Sequence, residues 1–144
     1  MYPIYEVPGG VAEVRVIMTA MPKAILLISH GSRSGEARRE VERLARRIKS
    51  LTRVPAVSCA FLEIETPSIP QAIGRCVRRG ATEIVLLLHF LNSGRHIRQD
   101  IPRILARARR RFPKARFRSV PFIGAHSRIP DLYADLVRRA AWKK

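Results

Sequence analysis

Four short apolar runs, at 24–28, 56–62, 84–88 and 117–123, are each followed by a segment of helical periodicity. A continuous apolar run of this length is the signature of a strand covered on both faces, because a half-exposed strand would alternate with polar residues. The intervening segments repeat apolar residues at three and four positions. They are Ala37, Val41, Leu44, Ala45 and Ile48; then Ile69, Ala72, Ile73, Cys76 and Val77; then Ile101, Leu105, Ala108 and Phe112; and last Leu132, Leu136, Val137 and Ala140. The order βαβαβαβα predicts an α/β fold, with one parallel β-sheet of about four strands, helices on both faces and right-handed crossovers. Ligands then belong at the carboxyl ends of the strands.

Local punctuation agrees with this order. Ser68, after Glu65-Thr66-Pro67, offers a hydroxyl cap, Gly80 a helix stop, and Asn92-Ser93-Gly94 a break after the third strand. Asp100 with Pro102 opens the third helix and Pro130 the fourth. At 144 residues and 47% hydrophobic composition, the chain is long enough for one core and too short for two. Residues 23–144 are read as that domain and 1–22 as an N-terminal extension, interrupted by Pro3, Pro8, Gly9 and Gly10. Within it, 13–17 alternates well enough for an edge strand, and a flexible tail is the other reading.

With 28 Lys and Arg against 11 Asp and Glu, the net charge of +17 draws anions over long distances. Nucleic acid, anionic lipid and a polyanionic small molecule are the candidate partners. A base-stacking platform has little support: Trp142 is the single tryptophan, and the arginines at 107 and 109–111 read as a solvated helix face. Cys59 and Cys76 fall inside apolar elements, which argues against a disulfide framework. No run is long enough to span a bilayer and no signal peptide is recognisable, so the expected location is the cytoplasm.

Three strand ends carry the chemistry. His30 closes the first run in Ser29-His30-Gly31-Ser32-Arg33, beside backbone amides that can also bind an anion. Its other reading is a simple strand cap. Glu63 closes the second run, where a carboxylate is costly unless solvated or paired, and Glu65 is the less favoured neighbour. His96 follows the third run in Gly94-Arg95-His96-Ile97-Arg98, where a glycine hinge would let a loop bend over a ligand. Imidazole both ligates transition metals and titrates near neutrality, so convergence of two imidazoles and a carboxylate predicts a metal or proton-transfer site. Arg95 and Arg98 suit a substrate edged with carboxylates. His89 reads as structural, and His126 as either a pocket residue or a polar turn before the last helix.

Together, Ile28-Ser29-His30-Gly31-Ser32-Arg33, Ala60-Phe61-Leu62-Glu63 and the segment from Phe90 through Gly94-Arg95-His96-Ile97-Arg98-Gln99-Asp100-Ile101-Pro102 resemble the short-form sirohydrochlorin chelatases, the small CbiX or SirB-like proteins, over about residues 23–140. The resemblance implies a class II chelatase fold in which a unit of this size is half of a two-lobed enzyme and pairs as a homodimer. It implies insertion of a divalent metal, Co²⁺ favoured with Fe²⁺ or Ni²⁺ as alternatives, into sirohydrochlorin with release of two pyrrole protons. No ATP and no permanently bound cofactor are implied; the metal is a substrate. By position, His30 and His96 match the family's metal-binding and proton-accepting histidines, and Glu63 the carboxylate that assists them. The many carboxylates of sirohydrochlorin suit the basic chain, with Ser32, Arg33, Arg95, Arg98 and His126 as expected contacts. His89 stands where the family pattern leads one to expect an aliphatic residue. Competing readings are a non-catalytic metal carrier, a basic nucleic-acid-binding domain and a histidine phosphatase. The last would place arginine where this chain has Ser29.

Overall fold

The structure is a computed structural model that describes residues 23–140. The 1–22 extension, with its strand-or-tail segment 13–17, and residues 141–144 with Trp142 lie outside the described residues. Eight main elements alternate: β1 (Lys23–Ser29), α1 (Gly35–Thr52), β2 (Ala56–Phe61), α2 (Ile69–Arg78), β3 (Glu83–Leu88), α3 (Ile101–Arg111), β4 (Arg116–Ser119) and α4 (Ile129–Arg139). The strands form one parallel sheet in the order β2-β1-β3-β4.

β1 is the axis of this sheet, and Ala24, Ile25, Leu26, Leu27 and Ile28 are all buried, as a strand covered on both faces requires. On one face, α2 and α3 bring Ile69, Ile73, Ile101 and Leu105 onto Leu26, Ile28, Ile84 and Leu86. On the other, α1 packs Val41 and Ala45 against Leu27 and Phe61. Helices therefore cover both faces, in agreement with the expected architecture. Cys59 and Cys76 are free and half-buried, and burial pushes the Cys59 thiol up to about 11, so neither is poised as a nucleophile.

Register decides where the loops meet. Ser29 lies opposite Phe61, and Ile28 lies opposite Leu88, so β1, β2 and β3 end at one level. The chain runs from β1 to β2 on one side and then crosses to β3 on the other, which makes the β1/β3 border the switch point where α/β sheets open a crevice.

The capping expectation at Ser68 is met in full. Its hydroxyl accepts from the Gln71 backbone N–H at 3.4 Å while the Gln71 side chain accepts from the Ser68 N–H at 2.9 Å. Gly80 follows α2 with φ of 91°, a conformation that stops the helix at little cost only for glycine.

Two expectations are corrected. The fourth strand ends at Ser119 and does not run to Ile123; Ile123–Ala125 is a 3₁₀ turn. Val120 still donates to the Leu86 carbonyl at 3.2 Å, but Pro121 next to it has no N–H to continue the ladder. In α4, Leu132, Tyr133, Leu136 and Val137 do not point into a core; they are 51–62% exposed, and Ala140 is exposed as well. Periodicity reports that a helix has an apolar face and not what covers it. Among the described residues, no helix is long and apolar enough to cross a membrane.

Candidate metal centre

The first residue beyond β1 is His30, followed by Gly31 at φ of 103°. A Cβ at Gly31 would collide with the Glu63 carbonyl oxygen, so only glycine lets this turn lie against the turn that follows β2. The β1–β2 ladder continues past the strands: Leu62 N–H donates to Ser29 O at 3.0 Å, and Glu63 N–H to His30 O at 2.9 Å. Glu63 and His30 are thereby held side by side through their backbones. Next, Ile64 takes a left-handed conformation with φ of 68°, and Glu65 N–H donates back to Glu63 O at 2.7 Å. Positive φ is rare for a β-branched residue and costs about 1–3 kcal/mol, a strain that persists where surrounding contacts over-determine it.

His96 is not in a hinged loop. It is the first residue of a π-helical turn, His96–Asp100, that runs directly into α3. Such turns are uncommon and concentrate at functional sites. Asp100 makes no helix cap with its side chain; its Oδ2 lies 2.8 Å from His96 Nδ1. The carboxylate accepts the Nδ1–H and leaves the Nε2 lone pair free to face the crevice, an arrangement common to metal-binding histidines.

His30, Glu63 and His96 thus converge from three βα units, with one possible ligand atom from each lying within 4.8 Å of the others. Glu63 stands between the rings: Oε2 is 3.8 Å from His30 Nε2 and Oε1 is 4.0 Å from His96 Nε2. The ring centroids are 5.1 Å apart and nearly edge to face, at 68°. Metal–nitrogen bonds of about 2.0–2.1 Å put two donors on one ion roughly 3–3.5 Å apart. Each histidine–Glu63 pair is therefore wider than in a bound site by roughly half an ångström, and the cluster as a whole, spanning up to 4.8 Å, must contract to hold one ion. The Glu63 side chain is 53% exposed and the His30 side chain 47%. Three donors, two of them half-exposed and His96 at 30%, suit an ion that enters and leaves better than a structural metal, which is held by four.

The expected contact residues are placed as follows. Ser32 Oγ accepts from the Ser34 N–H at 3.0 Å, and Arg33 and Arg95 are exposed beside the crevice loops. Arg98, also exposed, donates to Ser93 Oγ at 3.2 Å. His126 is not brought into the cluster; its Nδ1 accepts from the Arg128 N–H at 3.1 Å, the polar-turn alternative. His89 also stays outside. Its N–H extends the β3–β1 pairing to Ile28 O at 2.8 Å, and desolvation holds its imidazole below the ordinary range although part of the residue faces water. Two grooves lie elsewhere: one of about 520 Å³ between α2 and α3 and one of about 440 Å³ around Lys23, Ala56 and Cys76. The metal centre itself is an open crevice.

Sequence reasoning missed the roles of Asp100 and Glu65. The four-residue spacing of His96 and Asp100 was the available signal for the first, once both are placed on a single helical turn. Nothing local marks Glu65, which meets Ser32 and Arg38 only through the fold.

A parallel α/β domain with a half-open His, Glu, His cluster at its switch point carries a donor set of the kind that divalent transition metals take. The CbiX family model matches residues 24–140, and the chain belongs to the CbiX family. It is similar to the chloroplastic sirohydrochlorin ferrochelatase of Arabidopsis thaliana, at 32% identity over 114 residues, which is 79% of this chain and 51% of that protein. It is similar also to the sirohydrochlorin cobaltochelatase of Sulfolobus acidocaldarius, at 32% identity over 116 residues, 81% of this chain and 90% of that one. Among solved structures, the chelatase SirB from Bacillus subtilis subspecies spizizenii in complex with cobalt superposes with a TM-score of 0.75 at 30% identity, covering 84% of this chain and 52% of SirB. The chain thus spans about half the length of the plant enzyme and of SirB.

Proposed function

We propose that this chain inserts a divalent metal, with Co²⁺ favoured over Fe²⁺ or Ni²⁺, into sirohydrochlorin and releases two pyrrole protons. The observation that carries this reading is the convergence of His30, Glu63 and His96 on one point at the switch of the sheet. The relatives named for chelation of cobalt and of iron support sirohydrochlorin as the substrate and cobalt or iron as its metal.

The mechanism follows from the donors. The +17 chain draws in the polycarboxylate macrocycle, and Ser32, Arg33, Arg95 and Arg98 are the proposed contacts at its rim. The substrate ion is held by the Nε2 atoms of His30 and His96 with a Glu63 oxygen, so it is presented to the ring nitrogens partly stripped of water. As the metal passes to the ring, two N–H protons must leave. The imidazoles freed of the ion accept them, and Glu63, with its carboxylate oxygens 3.8 Å from His30 Nε2 and 4.0 Å from His96 Nε2, offsets the positive charge that develops. Asp100 keeps His96 turned toward the crevice throughout. No permanently bound cofactor enters the scheme.

The same reading includes a homodimer and residence in the cytoplasm. Support for a second copy comes from the uncovered apolar side chains of α4 and from a metal centre left open to solvent on one side.

The test is anaerobic mixing of the protein with sirohydrochlorin and Co²⁺, Fe²⁺ or Ni²⁺, followed through the tetrapyrrole spectrum. Enzyme-dependent insertion, reduced about 10²–10⁴-fold in His30→Ala and His96→Ala, is the expected outcome. Metal binding with no acceleration of insertion by any ion would replace the chelatase reading with a carrier.

A further inference from the structure

Glu65 is the least accessible carboxylate around the crevice, with its side chain 10% exposed, yet it is neither a donor to the metal cluster nor part of the scheme above. Its Oε1 accepts from the Ser32 N–H at 2.8 Å, across from the turn after β2 to the turn after β1. Its Oε2 is buried without a hydrogen-bond partner and lies 3.7 Å from Arg38 Nη1. The same guanidinium donates to Thr66 O at 3.0 Å and to Glu42 Oε1 at 2.9 Å, and sits 5.6 Å above the Phe61 ring. A buried carboxylate is costly unless its partners are fixed, and here the partners are the backbone beside His30 and an arginine anchored on α1.

Both turns that Glu65 joins are forced. Ile64, between Glu63 and Glu65, holds a conformation unusual for its residue type, and Gly31 permits contact with the Glu63 carbonyl only because it has no Cβ. Left to itself, the turn after β2 would relax at Ile64 and carry the half-exposed Glu63 carboxylate away from the two imidazoles. The backbone bond from Glu63 N–H to His30 O holds the near side of Ile64; on the far side Glu65 is the side chain that ties the turn to the β1 turn, beside the Phe61 N–H to Pro67 O bond at 2.9 Å.

We propose that Glu65 is the positioning residue that sets Glu63 against His30 and His96, acting through Ser32 N–H and Arg38 and touching neither metal nor tetrapyrrole. The proposal rests on the reading of His30, Glu63 and His96 as the metal centre. In the full chain, Glu65→Gln keeps the Oε1 acceptor for Ser32, Glu65→Asp shortens the tether by one methylene, and Glu65→Ala removes it.

Amide hydrogen exchange at Ser32 and Glu63 is measured without metal, and Co²⁺ alone is titrated by its visible absorption. For Glu65→Ala, both amides should exchange at least about tenfold faster while amides in the middle of β1 keep their protection. Co²⁺ affinity should fall by about tenfold. For Glu65→Gln, both readings should stay within about threefold of the parent, and Glu65→Asp should fall between. Parental exchange at Glu63 in Glu65→Ala, or faster exchange spread evenly through β1 and β2, would overturn the proposal. Should the alanine variant not fold, parental exchange at Ser32 and Glu63 in Glu65→Asp would overturn it equally. If His30→Ala leaves the Co²⁺ titration unchanged, the metal reading falls, and the exchange data alone decide the role of Glu65.

Discussion

At the residue scale, the donors are less distinctive than what orients them. A histidine at a strand end is common, and what separates His96 from an ordinary surface imidazole is Asp100 on its Nδ1. A partner of this kind fixes the tautomer and the ring plane, and its loss typically costs 10–100-fold in metal affinity. Asp100→Ala should therefore weaken Co²⁺ binding by about that factor, read by calorimetric titration, while Asp100→Asn, which still accepts the Nδ1–H, should lose less. His30, Glu63 and His96 were legible in the sequence because each follows an apolar run that had to be a strand. Asp100 was read instead as a helix opener. A helix-initiating aspartate and a histidine-orienting one have the same sequence signature, and only the π-helical start of the helix, which places His96 on the same turn, separates them.

At the scale of elements, helix punctuation was read well where the turn chemistry is local and poorly where it depends on neighbours. Ser68 and Gln71 form a reciprocal cap within four residues, visible without a fold. Ser68→Ala should lower stability by about 1 kcal/mol in denaturant titration, with Co²⁺ affinity little changed, because α2 supports the sheet and carries none of the three donors. By contrast, the end of β4 and the surroundings of α4 could not be read. The apolar character of 117–123 continues past the point where Pro121 stops the ladder, and the α4 periodicity is that of a core helix although its apolar side chains face outward. Both errors share one cause: hydrophobicity reports a tendency to be covered, whereas backbone pairing and the covering partner are tertiary facts.

At the scale of the molecule, the parallel sheet with helices on both faces and the excess of basic residues were foreseeable, and the strand order and the completeness of the site were not. The crevice is built by one face-to-face sandwich of α1, the sheet, and α2 with α3, and His30 and Glu63 in it stay half-exposed, as do the apolar side chains of α4. If α4 is where two copies meet, Tyr133→Glu together with Leu136→Glu should turn a dimer into a monomer in sedimentation velocity, and a monomeric parent protein would exclude that arrangement. Burying a Leu side chain contributes about 1.5–3 kcal/mol, so two charges placed in such a contact outweigh it.

The three metal donors come from separate βα units and meet only because β1, β2 and β3 end at one level. An unfolded chain has no such point, so on the proposed reading the ion would bind the native state alone and shift the folding equilibrium toward it by mass action. The substrate metal would then also be a chaperone of the fold: scarcity of the ion would leave the chain more often open and exposed to proteolysis, and abundance of the ion would prolong its life.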